Sequence, residues 1–227
     1  MPKKYNVTKL YKLLKRQHYL SLNKKADTYW KLLFARTEKN CENSADWYCI
    51  IECWIKLFGK DGLKQAELYA SNAQKTVTCS VDCFAASGAW ELLALIDPHY
   101  KAQVRECLIK ASTIDPSAEE LCFCAYEWIN IFGVKEKKYA LHLMNEAEKR
   151  YQHCWECGDI ITYWVKCFGE YGRKRAIRFL QKNGNKVSLK SDQIVEYIAE
   201  PCLEILKDWN LYAKWMERAR KVERRKK

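Results

Sequence analysis

Four tryptophans recur along the chain at nearly constant intervals: Trp54, Trp90, Trp128 and Trp164 lie 36, 38 and 36 residues apart. A period of this length marks one supersecondary unit repeated, a unit that can bury its apolar face only against a neighbour. Other columns keep the same register. An acid stands eight residues before each tryptophan (Asp46, Asp82, Glu120, Glu156) and an alanine twelve after (Ala66, Ala102, Ala140, Ala176). Three of the tryptophans are followed at five residues by glycine (Gly59, Gly133, Gly169). Trp90 runs instead into Ile96-Asp97-Pro98.

Each copy reads as a helical hairpin. The first helices, over 47–58, 83–95, 121–132 and 160–168, are apolar nearly all round, as in helices flanked by others. The second helices, over 63–74, 100–113, 137–150 and 173–183, carry apolar residues at three- and four-residue spacing with Lys, Arg and Glu between them. Period-two alternation is missing and the chain holds only 8 Gly and 4 Pro, which argues against a sandwich or barrel of many short strands. Ser44/Asp46 and Ser80/Asp82 offer N-cap chemistry and negative charge at a helix start. The glycines suit a left-handed position just past a helix end, and Asp97-Pro98 suits an N-cap followed by proline at the first helical position. The alanine at +12 is expected where the two helices of a hairpin approach closely. Residues 8–20 with 26–38, and 192–207 with 209–224, extend the pattern as degenerate terminal hairpins, with Pro201 kinking or restarting its helix. The expected fold is all-α: one domain over 1–227, an α-solenoid of five to six antiparallel helical hairpins.

Ala66/Ala73 and Ala140/Ala147 are seven apart in the second helix, and Asp115-Pro116 closes a repeat. In these features the chain resembles the tetratricopeptide-type α-solenoids over roughly residues 40–190. It departs from them in repeat length, in placing Trp where that family has a small residue, and in the missing second alanine after Ala102 and Ala176. The resemblance implies a scaffold or adaptor that binds other macromolecules.

The formal charge of +12 is carried by the ends. Residues 1–25 hold eight Lys/Arg and no acid, and residues 214–227 hold eight against two acids, so residues 26–213 are slightly acidic at −2. Lys3, Lys4, Lys9, Lys12, Lys15 and Arg16 form one cationic segment or capping helix. Arg218, Arg220, Lys221, Arg224 and Arg225 form another. Both are candidates for contact with phosphates or acidic partners. The repeats carry no recurrent basic column: Lys56 and Lys166 share one, but Leu92 and Asn130 interrupt it. Val7, Leu10, Tyr11 and Leu14 also share a face opposite lysines, which suits a membrane surface or, more simply, a first packed helix.

Polar residues break the apolar first helices in a narrow stripe comprising Glu52, Lys56, Glu91, Asn130 and Lys166, with Thr162 beside them. In a solenoid such a stripe lines the concave surface, so these residues are the candidate partner contacts. His153-Cys154-Trp155-Glu156-Cys157 invites a zinc or redox reading, but zinc needs a second ligand pair and the sequence holds no other Cys-x-x-Cys. Cys157 falls in a column with Trp47, Cys83 and Leu121, which reads as core, and Cys49 and Cys53 read the same way. The four histidines are scattered, and neither a phosphate loop nor a nucleophile elbow is present. No cofactor is expected. No signal-peptide core or membrane-spanning run is seen, and the twelve cysteines are expected as reduced thiols, so the expected location is cytoplasmic. The expected function is a non-catalytic scaffold binding protein partners through the solenoid surface. The alternative is a protein that binds nucleic acid through its basic ends.

Overall fold

A computed structural model describes residues 24–183 and 190–224, and every regular element among them is helical. The chain divides into two compact units, Met1–Ile114 and Asp115–Lys227. Lys3, Lys4, Lys9, Lys12, Lys15, Arg16 and Arg225, and the expected helix over 8–20, lie outside the described residues.

The first unit contains α1 (Lys24–Thr37), α2 (Ser44–Phe58), α3 (Leu63–Lys75), α4 (Ser80–Ala94) and α5 (Lys101–Ala111). α2 packs on α3, α4 packs on α5, and α4 also packs on both helices of the preceding pair. α1 joins through Phe34, whose ring meets that of Trp54 at 4.9 Å and that of Phe58 at 6.4 Å. The second unit contains α6 (Ala118–Phe132), α7 (Lys137–Arg150), α8 (Cys154–Asn183), α9 (Ser191–Ile194), a π-helical turn (Val195–Ala199), α10 (Glu200–Glu204) and α11 (Trp209–Arg224). Here α6, α7 and α8 pack on one another, and the π turn lies against α8 and α11.

The acidic column is a capping column in all four copies. Asp46 accepts the N–H of Glu42 at 3.1 Å, Asp82 that of Thr78 at 2.9 Å, and Glu120 that of Ser117 at 2.7 Å. Glu156 accepts two, from Gln152 at 2.6 Å and His153 at 2.8 Å. Each carboxylate satisfies backbone N–H at the positive end of a helix dipole. The two serines do not cap as expected. Asn43 caps α2 and Cys79 stands at the cap of α4, while Ser44 and Ser80 are buried as the first helical residues. Their column continues as Ala118 and Cys154, small side chains throughout. The Ser44 hydroxyl donates to the Ala73 carbonyl at 2.8 Å, which fixes the start of α2 against the end of α3.

The tryptophans are buried in every copy. The indole N–H of Trp54 donates to the Gly62 carbonyl at 2.9 Å and that of Trp128 to the Glu136 carbonyl at 3.2 Å. Both acceptors stand eight residues on, in the connection to the next helix. Trp90 has a longer connection and donates instead to Gln74 Oε1 at 3.0 Å.

That longer connection corrects the alanine column. Ala66, Ala140 and Ala176 are fully buried, but Ala102 is exposed and Val104 takes its place in the core. The core positions of the second helices therefore run Ala66/Val104/Ala140/Ala176 and Ala73/Ala111/Ala147/Asn183. The two extra residues of the 38-residue interval lie between Trp90 and α5. Ala111 is the partner that counting from Ala102 fails to find.

The glycines after α2 and α6, and within α8, have positive φ as expected but not the αL conformation. Gly59 has φ/ψ of 53°/−133°, Gly133 77°/176° and Gly169 56°/−128°, an extended region open in practice only to glycine. Gly169 breaks α8 into two arms, 154–168 and 170–183, which serve as the two helices of that copy. Asp97 caps the short 3₁₀ turn Pro98–Tyr100, accepting the N–H of His99 at 3.1 Å, with Pro98 at its first position as expected. Pro201 has no N–H to give the carbonyl of Tyr197, and the π turn immediately precedes its helix. A Cβ on Gly158 of α8 would come within 2.9 Å of that same Tyr197 oxygen, so glycine is what permits this approach.

Candidate functional site

Four-residue spacing on α2 puts Tyr48, Glu52 and Lys56 on one side, away from the buried Ile50, Ile51, Cys53 and Trp54. Lys56 Nζ donates to Glu52 Oε1 within this row. α4 supplies Gly88 and Glu91. A Cβ on Gly88 would lie 3.1 Å from the ring of Tyr48, so the missing side chain lets that ring lie across α4. Burial raises the phenol of Tyr48, and Glu52, Cys49 and Glu91 add to the rise while Lys56 opposes it. Burial also raises the carboxyl of Glu91. The structure thus brings the predicted Glu52, Lys56 and Glu91 around Tyr48, which the sequence reading missed. Its one signal was the position four residues before Glu52.

The second unit builds a comparable face from α6 and the first arm of α8. The rings of Tyr126 and Tyr163 lie with centroids 5.6 Å apart, and Lys166 Nζ sits 5.6 Å from one and 5.2 Å from the other. This geometry is a shared cation–π contact. One turn before Tyr163, the Asp159 carboxyl is pushed up to about 6 by burial, then by Glu119 and Glu156, with Lys166 acting against them. The phenol of Tyr163 is raised by burial and then by Asp159. Asn130 is exposed on α6. Lys166 was legible as a polar break in an apolar helix. The two tyrosines were not, because an aromatic at helical spacing reads as core.

The basic C-terminal end is partly engaged with its own helix. The Arg218 guanidinium lies 4.9 Å from the ring centre of Trp215, and Lys221 pairs with Glu217 at 2.6 Å. Arg220 and Arg224 are exposed. Cys154 and Cys157 are both buried, and burial pushes the Cys157 thiol up to about 12, the reverse of what an activated thiolate needs. Cys53 is buried, whereas Cys49 is only half-buried rather than core. The ring of His153 stacks on Trp155 at 4.1 Å. Among the described residues no three His, Cys, Asp or Glu side chains gather as a metal site, no cysteine is in a disulfide, and no helix is long and apolar enough to cross a membrane. Compared with known protein families, with curated proteins and with solved structures, the chain matches none.

Proposed function

We propose that the chain is a non-catalytic scaffold, each unit a short stack of solenoid-type helical hairpins, binding protein partners through the faces of its first helices. The Tyr126–Tyr163–Lys166 ledge beside Asp159 is the observation that carries this reading. Two aromatic rings side by side, with an ammonium group over them, have the make-up of an interface anchor. Glu119, Glu156 and Lys166 act on Asp159 in the second unit, and Glu52, Glu91 and Lys56 act on Tyr48 in the first, so carboxylates outnumber ammonium groups around both. The partner chemistry that suits them is a peptide segment bearing Lys or Arg and an apolar or aromatic side chain.

A photo-crosslinker placed at Asn130 tests the reading in the native host. The expected result is a discrete protein adduct that disappears when Tyr126→Ala and Tyr163→Ala are combined. An adduct that survives both substitutions, or none at Asn130 alongside nucleic acid captured at Arg220 in a steeply salt-dependent way, would favour the basic ends instead.

A further inference from the structure

The second unit carries another recess, built from different helices. It is a groove of about 900 Å³ between α7 and the second arm of α8. Its charges fall into two sets. The Arg175 guanidinium is held by Glu148 through Nε and Nη2, each at 3.0 Å, and by Asn145 Oδ1 at 3.0 Å, and it lies 5.6 Å from the ring of Trp164. Lys149 is likewise paired with Glu146 at 2.6 Å. Two cations of the groove are left over. Arg178 and Lys182 are exposed on α8 and form no ion pair or hydrogen bond among the described residues. Between them the groove floor is aromatic: Tyr151 meets Phe179 edge-on at 5.2 Å, and its hydroxyl donates to the Asn183 carbonyl at 3.2 Å.

We propose that this groove is a second binding site, for an extended acidic peptide whose carboxylates rest on Arg178 and Lys182. Four residues of helix separate these cations by about 6 Å along the axis. Alternate side chains of an extended strand are about 6.7 Å apart and point the same way, so carboxylates at every second position meet both cations. The intervening side chains point the opposite way, toward the α7 wall. The opposite wall decides between a peptide and a nucleic acid. Glu146 and Glu148 line it, each already paired with Lys149 or Arg175, so among the described residues Arg178 and Lys182 are the cations left for a ligand, too few for a phosphate backbone with charge at every step. A peptide carrying its acids at alternate positions on one side needs no more. The site is independent of the α6–α8 ledge, because it uses neither α6 nor the first arm of α8 for ligand contact.

A fluorescein-labelled octapeptide alternating Glu and Ala is the probe, titrated against the full chain with anisotropy as the readout. The expected result is saturable binding that weakens as ionic strength rises from about 0.05 to about 0.5 M. Arg178→Glu combined with Lys182→Glu should weaken it about tenfold or more, while Tyr126→Ala with Tyr163→Ala should leave it unchanged. Far-UV circular dichroism checks that the reversed variant is folded, and Arg178→Gln with Lys182→Gln replaces it if not. Absence of saturable binding at millimolar peptide overturns the proposal. So does binding indifferent to both pairs of variants, or binding lost with the tyrosines. An oligonucleotide of equal charge that binds as tightly through Arg178 and Lys182 overturns it as well.

Discussion

A Cβ built on Gly133 meets no atom within 4 Å, yet the residue sits at φ 77°. Space and conformation are therefore separable at this position. Gly133→Ala should lower stability by about 1–3 kcal/mol through backbone strain alone, read as a drop in urea midpoint without a change in slope. A neutral result would mean that the turn relaxes to another conformation. Two carboxylates test the electrostatics in opposite directions. The hydroxyl of Thr78 donates to Asp82 at 2.6 Å, and this bond, with the backbone N–H, holds the Asp82 carboxyl below its usual value. A depressed carboxyl stabilises the fold above its unfolded pKa and loses that contribution as pH falls through the folded value. Asp82→Asn should thus destabilise at pH 7 and come close to the wild type in acid. Asp159, raised to about 6, has the opposite sign: the fold favours its protonated form. Stability then declines as pH climbs from about 4 through that value, and Asp159→Asn should remove the decline. Chemical denaturation across pH 3–8 distinguishes the two, and parallel profiles would refute both assignments.

At the scale of the element, α7 and α11 begin and end where apolar spacing places them, at Lys137–Arg150 and Trp209–Arg224. α5 shows where spacing stops being informative. Ala102 and Val104 both suit a helix, and counting from Trp90 selects the wrong one, because the connection through Asp97-Pro98 is two residues longer than its counterparts. Which face of α5 is buried depends on how the chain re-enters the packing, a property of the turn rather than of the helix. Leucine substitutions expose the difference. Ala140→Leu should cost about 1–3 kcal/mol by overpacking, whereas Ala102→Leu should stay within about 0.5 kcal/mol of the wild type. Equal thermal shifts for the two would contradict the corrected register. The same limit applies to the site. Lys166 and Glu52 stand out because they interrupt apolar helices, but Tyr126 and Tyr163 resemble core residues until α6 and α8 are laid side by side.

For the whole molecule, the excess positive charge lies in the end segments, one at the start of the first unit and one at the end of the second. Of the basic C-terminal residues, Arg218 lies against Trp215 and Lys221 pairs with Glu217, while Lys214, Arg220 and Arg224 are exposed on the described part of that end. Arg220→Glu with Arg224→Glu should leave the Asn130 photo-adduct within about twofold of wild type, as expected for charges that act through a screened field. Loss of the adduct in that variant would move the partner site to the C-terminal end. By itself the sequence determined the repeat, its helical character, the capping acids and the buried tryptophans, because each is a local pattern repeated in register. Tertiary structure alone decided which alanine meets the core, that Gly169 turns inside one helical run, and that Arg178 and Lys182 face a groove. Those outcomes depend on how residues distant in sequence share space, which spacing along a chain does not encode.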